Sequence, residues 1–189
     1  MHPAGPEKLS ALRQEIARLQ RGTLPGVAGD AVTFGVPAID RALPWGGLKR
    51  GGLHEIGGTG SAGFQAALLR RAAGTDGPVL WCRHARSERE TGLPYGPGLA
   101  AFGLSAAQFV FVRADKATDV LWAMEEGLRA GGLAAVIGDG VAADFTSTRR
   151  LQLAAEATAT PAFMLLPSSG TGKAEPLSAA SCNRRVEVK

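Results

Sequence analysis

The stretch Gly57-Gly58-Thr59-Gly60-Ser61-Ala62-Gly63-Phe64-Gln65 is where phosphate chemistry would be sought first. A phosphate-binding loop needs Gly-x4-Gly-Lys-Ser/Thr between a strand and a helix. Its backbone N–H groups cradle the phosphates, the Lys neutralises them, and the hydroxyl ligates magnesium. The helix N-terminus adds a favourable dipole. Gly58 and Gly63 have the required spacing, but Phe64 stands where Lys is needed and Gln65 where Ser or Thr is needed. Without the Lys there is no charge aimed at the transferring phosphoryl group, and without the hydroxyl a magnesium ligand is gone. The loop therefore reads as a relic kept for structure. Weak nucleotide or anion binding by backbone amides is the alternative. No cofactor, metal ligand set, catalytic residue or ATPase activity is expected. A second glycine–lysine pair, Gly172-Lys173, fails the same test. Pro167 occupies the first glycine position, Ala174 replaces the hydroxyl residue, and Pro176 interrupts the helix that should follow.

Elements that could position such a loop alternate along the chain. Gly52 to Ile56 predicts a strand that enters the Gly-rich turn, and Phe64 to Ala73 a helix with Leu68 and Leu69 inward. Val79 to Cys82, Phe109 to Val112, Leu133 to Ile137 and Ala162 to Leu166 are short apolar strands. Ala117 to Ala130 predicts a helix with Val120, Leu121, Met124 and Leu128 on one face, and Thr146 to Ala157 another helix. Continuously apolar strands separated by helices predict an α/β fold, its mostly parallel sheet covered by helices on both faces. Residues 31–167 are read as this core. Residues 168–189 are a loop and tail, with Arg184 to Lys189 either a last strand or frayed.

Residues 1–30 are read as an amphipathic helix and linker. Leu9, Leu12, Ile16 and Leu19 are spaced 3, 4, 3, which makes one apolar stripe. A helix this short needs a docking surface, on its own domain or on a partner.

The 189 residues carry a formal net charge of +4, a mild excess that favours an acidic partner such as DNA. Arg70-Arg71, Arg83-Arg86-Arg89, Arg149-Arg150 and Arg184-Arg185 are the basic clusters. They would track DNA phosphates or form a solvated face with local ion pairs, Arg86 to Glu90 among them. Leu93 to Gly98 reads as a rigid loop with Tyr95 exposed. Of Trp45, Trp81 and Trp122, core positions are expected, Trp45 being the best candidate for exposure. Cys82 and Cys182 read as free thiols. No apolar run approaches the roughly 20 residues of a membrane span, and the start has neither the basic nor the apolar region of a signal peptide. A cytoplasmic protein is expected.

Val32-Thr33-Phe34-Gly35-Val36-Pro37-Ala38-Ile39-Asp40-Arg41-Ala42-Leu43, then Gly46-Gly47-Leu48-Lys49-Arg50-Gly51 and Glu55-Ile56, resembles the segment leading into the phosphate loop of RecA recombinases. With its degenerate loop, the chain is similar to the ImuA family, RecA-like accessory proteins of a bacterial DNA-damage mutagenesis cassette. The helix Thr148 to Ala157 also resembles that family. The resemblance implies a RecA-like P-loop NTPase core and a place beside ImuB, a Y-family polymerase homologue, with RecA and DNA as further partners. It also implies self-association, or docking on ImuB, through the N-terminal helix. His84 falls at or near the position of the RecA water-activating Glu, and Asp139 at the acidic end of a Walker B strand. With the loop degenerate, His84 is expected to have no catalytic role and Asp139-Gly140 to form a turn. An ATP-dependent recombination protein and a SulA-like division inhibitor are the alternative readings.

Overall fold

A computed structural model describes residues 31–43, 45–58, 61–166 and 184–188. Strands β1 (Ala31–Val32) and β2 (Leu48–Lys49) form a small antiparallel pair. Between them lies the six-residue helix α1 (Pro37–Ala42). The remaining strands are β3 (Leu53–Gly58), β4 (Val79–His84), β5 (Phe109–Ala114), β6 (Ala135–Asp139), β7 (Ala162–Leu165) and β8 (Arg184–Val188). They form one sheet in the order β5-β4-β6-β7-β3-β8. Every neighbouring pair in it is parallel.

The strand composition explains this order. Residues Val79 to Cys82, Ala135 to Ile137 and Ala162 to Leu165 are buried along their whole length. Side chains alternate between the two faces of a strand, so such runs must be covered on both faces. One face packs Ile56, Trp81, Ile137 and Phe163 against Leu68 and Leu69 of α2 (Ser61–Ala73). The other packs Leu80, Cys82, Val136 and Met164 against α5 (Ala117–Ala130) and α6 (Phe145–Thr158). From α5 come Val120, Met124 and Leu128, and from α6 Leu151. Each fully buried branched or aromatic side chain contributes roughly 1.5–3 kcal/mol relative to exposure.

The helix ends are built locally. Asp144 caps α6 by accepting from the Ser147 N–H at 2.8 Å. Helix α5 carries Asp119 in its first turn and Arg129 in its last, as the helix dipole favours.

Several sequence expectations need correction. Helix α2 begins at Ser61, three residues before Phe64, and β3 continues to Gly58. Strand β6 begins at Ala135, so Leu133 and Ala134 lie outside it. Two helices were not foreseen. These are α3 (Ala85–Thr91) and α4 (Gly96–Ala101), the latter starting inside the expected loop at Leu93 to Gly98. Trp122 is not core; it is 61% exposed. Its place on α5 faces away from the stripe of Val120, Met124 and Leu128, and the 3.6-residue period accounts for that. Arg184 to Val188 form a strand beside β3. The helix carrying Leu9, Leu12, Ile16 and Leu19, and the loop with Gly172-Lys173, lie outside the described residues.

Candidate functional site

Parallel strands put the ends of β3, β4 and β6 on one edge of the sheet. That edge holds Gly58, His84 and Asp139, and ligands of open α/β sheets bind outside such carboxyl ends.

At the end of β3 the spacing of Gly58 and Gly63 does not enclose a free loop. Gly58 is the last residue of the strand and Gly63 is already the third of α2. Only Thr59 and Gly60, which lie outside the described residues, separate the two elements. Among the described residues, a Cβ added at Gly63 would meet nothing closer than the tip of Phe102 at 3.9 Å. Phe64 turns to the hydrophobic layer and packs its ring on Phe34, centroids 5.4 Å apart. Gln65 is 1% exposed, and neither atom of its amide has a hydrogen-bond partner among the described residues. A buried, unpaired amide costs of the order of 1–3 kcal/mol. The two positions that would carry charge and hydroxyl are thus a packed aromatic and a buried amide.

At the end of β6, Asp139 has both carboxylate oxygens engaged. Oδ2 accepts from Arg83 Nε at 2.6 Å and from Trp81 Nε1 at 3.3 Å. Oδ1 accepts from Ser87 Oγ at 3.0 Å. Arg83 uses its other nitrogens to hold the end of α3: Nη1 donates to the Gly92 carbonyl at 2.6 Å and Nη2 to Thr91 Oγ1 at 3.0 Å. Arg83 and Asp139 are both buried, at 5% and 7% exposure. The Arg83 guanidinium thus lies directly against the Asp139 carboxylate at the end of β6. The donor set does not fit a metal–nucleotide complex, because the carboxylate's acceptors are taken and no lysine points from the loop. Gly140 follows with φ +75°, and a Cβ there would lie 2.3 Å from the Ser87 Cβ. The turn is thus built for glycine.

His84 has a structural position. It is the N-cap of α3, and its Nδ1 accepts from the Arg86 N–H at 3.2 Å.

The basic clusters differ in their surroundings. Arg83 is internal, which corrects its placement with Arg86 and Arg89. Arg86 pairs with Glu90 at 2.7 Å, as the helical spacing implied. Arg70 and Arg71 line an open hollow with Ala67 and Phe102. On α6, Arg149 is exposed, while Arg150 is bonded to Glu125 of α5. Glu125 is almost fully buried and also receives Arg129. Arg184 and Arg185 lie in β8, paired with His54 and Glu55 of β3.

Three participants escaped sequence reading: Trp81 as a donor, Ser87 and Glu125. One signal was available. An Arg that directly follows an apolar strand run is seldom buried without an acidic partner, and a later core strand ends in Asp139.

The segments that carry the family resemblance are joined physically. Asp40 accepts from the Phe34 N–H at 2.7 Å and the Gly35 N–H at 3.0 Å, closing the turn before α1. Gln152 of α6 accepts from the Leu53 N–H at 2.9 Å and donates to the Gly51 carbonyl at 3.4 Å. These residues hold the entry to β3 against α6, which gives them a structural use.

Fold and site together define a parallel α/β protein with a buried Arg83–Asp139 pair at the carboxyl ends of its strands. No family model matches the chain. Two curated relatives, both named Protein ImuA, come from Caulobacter vibrioides strains NA1000 and CB 15. Each is 37% identical over 134 residues, 66% of this chain and 52% of the relative. The chain is thus similar to ImuA proteins over these residues, and it spans about half the length of the curated relatives it matches. Among solved structures, SulA from Pseudomonas aeruginosa superposes with a TM-score of 0.47 at 17% identity, covering 60% of this chain and 97% of that one.

Among the described residues no group of three or more His, Cys, Asp or Glu could hold a metal ion. No described helix is long and apolar enough to cross a membrane. Cys82 is buried, and burial pushes its thiol up to about 12.

Proposed function

We propose that this chain is a non-enzymatic accessory of damage-induced, error-prone translesion DNA synthesis, acting in the cytoplasm by docking an ImuB-like polymerase homologue. RecA and DNA are further contacts on this reading, and the N-terminal helix a means of docking or self-association. One observation carries the non-enzymatic part: Arg83 neutralises Asp139 from within the protein, at the strand end where a phosphoryl-transfer enzyme needs a free carboxylate. Phe64 and Gln65 support it, since a phenyl ring and a buried amide supply neither charge nor a magnesium ligand. The ImuA relationship supports the cellular role.

The test is affinity purification of the tagged protein from DNA-damaged cells, read by mass spectrometry. Recovery of a Y-family polymerase homologue, with or without RecA, is the expected result. Recovery of division proteins, or of nucleic acid alone, would overturn the translesion role. Magnesium-dependent ATP turnover that is abolished by disrupting Gly63 would overturn the non-enzymatic part.

A further inference from the structure

Helix α2 turns one stripe of residues outward. Gly63, Ala67, Arg70 and Arg71 stand at i, i+4, i+7 and i+8 and share that face. Gly63, Ala67 and Arg71 are exposed, and Arg70 is half-buried. Over the stripe opens a hollow of about 400 Å³, lined by Ala67, Arg70, Arg71 and Phe102. Phe102 is set there by the end of α4. The Leu104 N–H donates to the Leu99 carbonyl at 3.1 Å and the Gly103 N–H to that of Ala100 at 2.8 Å, the paired bonds of a helix closed by a left-handed glycine. Leu99 and Leu104 are buried, and Phe102 is left 42% exposed.

Arginines in the last turn of a helix commonly serve its free carbonyls. Here other groups do so. The Arg70 carbonyl accepts from the Gly74 N–H at 3.1 Å, that of Ala72 from Arg50 Nη1 at 3.1 Å, and that of Ala73 from the Gly77 N–H at 2.9 Å. Neither Arg70 nor Arg71 makes an ion pair with a described residue. Asp40, which closes the turn at Gly35, accepts with its two oxygens from backbone N–H groups. The two cations rest on two different turns. A Cβ at Gly35 would fall inside the Arg71 guanidinium, and one at Gly103 would lie 2.9 Å from Arg70 Nε. Both glycines have positive φ, so each turn leaves room for the arginine over it.

Two guanidinium groups without an acidic partner suit an anion, and their planar donors suit phosphate. The phenyl ring beside them suits a flat partner. Single-stranded DNA supplies both, a phosphate at every nucleotide and base faces that are free to stack, whereas a duplex keeps its base faces covered. We infer that the outward face of α2 binds single-stranded DNA, with Phe102 stacked on a base and Arg70 and Arg71 on neighbouring phosphates. The inference rests on the proposed DNA contact. Its test uses the purified chain with no polymerase homologue present, so that it and the translesion role fail separately.

Fluorescence anisotropy with a labelled oligothymidylate of about 12 nucleotides tests it. The wild-type chain should bind with a Kd of about 10–100 µM at low salt, and a duplex of the same length should bind more weakly. Arg70→Gln/Arg71→Gln should make the slope of log affinity against log salt shallower by about 1.4, the share of two phosphates on a single strand. Phe102→Ala should weaken binding by about 5–100-fold, and Phe102→Trp should retain it, because stacking needs only an aromatic face. Circular dichroism checks that each variant is folded. If the double variant is not, Arg71→Gln alone serves, with a slope shallower by about 0.7. The inference is overturned by a wild type that does not bind the oligonucleotide, by a duplex that binds equally well, or by unchanged affinity in either the arginine or the Phe102→Ala variant. A loss confined to Arg149→Ala would overturn it too.

Discussion

Arg83 and Asp139 are register partners on adjacent parallel strands, with Nε 2.6 Å from Oδ2. The pair links the end of β6 to the end of α3, since the same guanidinium holds Thr91 and Gly92. Breaking a buried pair from one side leaves an uncompensated charge and costs about 3–5 kcal/mol. Arg83→Met should therefore lower the unfolding free energy in urea by that order. The double variant Arg83→Met/Asp139→Leu should recover much of the loss. A double variant destabilised by the sum of Arg83→Met and Asp139→Leu measured singly would show that the pair is not coupled.

Restoring the missing phosphate-loop residues should not restore catalysis. Phe64→Lys/Gln65→Thr reinstates the motif's side chains, but Asp139 stays bound to Arg83 and the helix still begins at Ser61. The expected outcome is no magnesium-dependent ATP hydrolysis above background in a phosphate-release assay. The variant should also lose about 1–2 kcal/mol of stability, because Phe64 packs on Phe34.

His54 should make stability pH-dependent. It is fully buried, its Nε2 bonded to the Lys49 carbonyl at 2.8 Å, and burial above all lowers its pKa to about 4. The folded state thus holds the imidazole neutral, while the unfolded chain takes up a proton below about 6.5. Its contribution is fully present above pH 6.5 and is lost as the pH falls toward 4. The drop is about 3 kcal/mol at most. Thermal melts across pH 4–7 should show this slope in the wild type and a shallower one in His54→Leu.

The neighbours Arg149 and Arg150 should behave differently. Arg150 neutralises buried Glu125 together with Arg129, whereas Arg149 is exposed and has no ion pair among the described residues. Arg150→Ala should cost about 1 kcal/mol in denaturant unfolding, and Arg149→Ala close to nothing. In a salt-dependent DNA titration, loss of affinity confined to Arg149→Ala would assign it the phosphate contact.

Much of the sheet was legible because its central strands are apolar without interruption. Val79 to Cys82 and Ala162 to Leu165 admit hardly any other reading between helical stretches. Helix α5 was read to its ends, since its apolar stripe is regular and Gly131 stops it. Helices α3 and α4 were missed because they are short and polar or glycine-rich, and they are held by tertiary contacts such as that of Arg83 with Gly92. That Phe64 and Gln65 offer neither an ammonium nor a hydroxyl is read directly from the residue types. The burial of Gln65 and the engagement of Asp139 are not, because they depend on which strands become neighbours. Trp122 misled because an aromatic on an amphipathic helix is usually inward, and here its phase is outward.

The guanidinium beside Asp139 is a counter-ion that cannot diffuse away. A protein that borrows a metal ion changes its local charge whenever the ion leaves, and so can report ligand concentration through its shape. Here the cation is covalently part of β4, present at one equivalent under every condition in which the chain is folded. On the proposed non-enzymatic reading, the strand ends would keep a single electrostatic state and the surface they support would not cycle with nucleotide supply. What such a protein would present to a partner would then be set by how much of it is made.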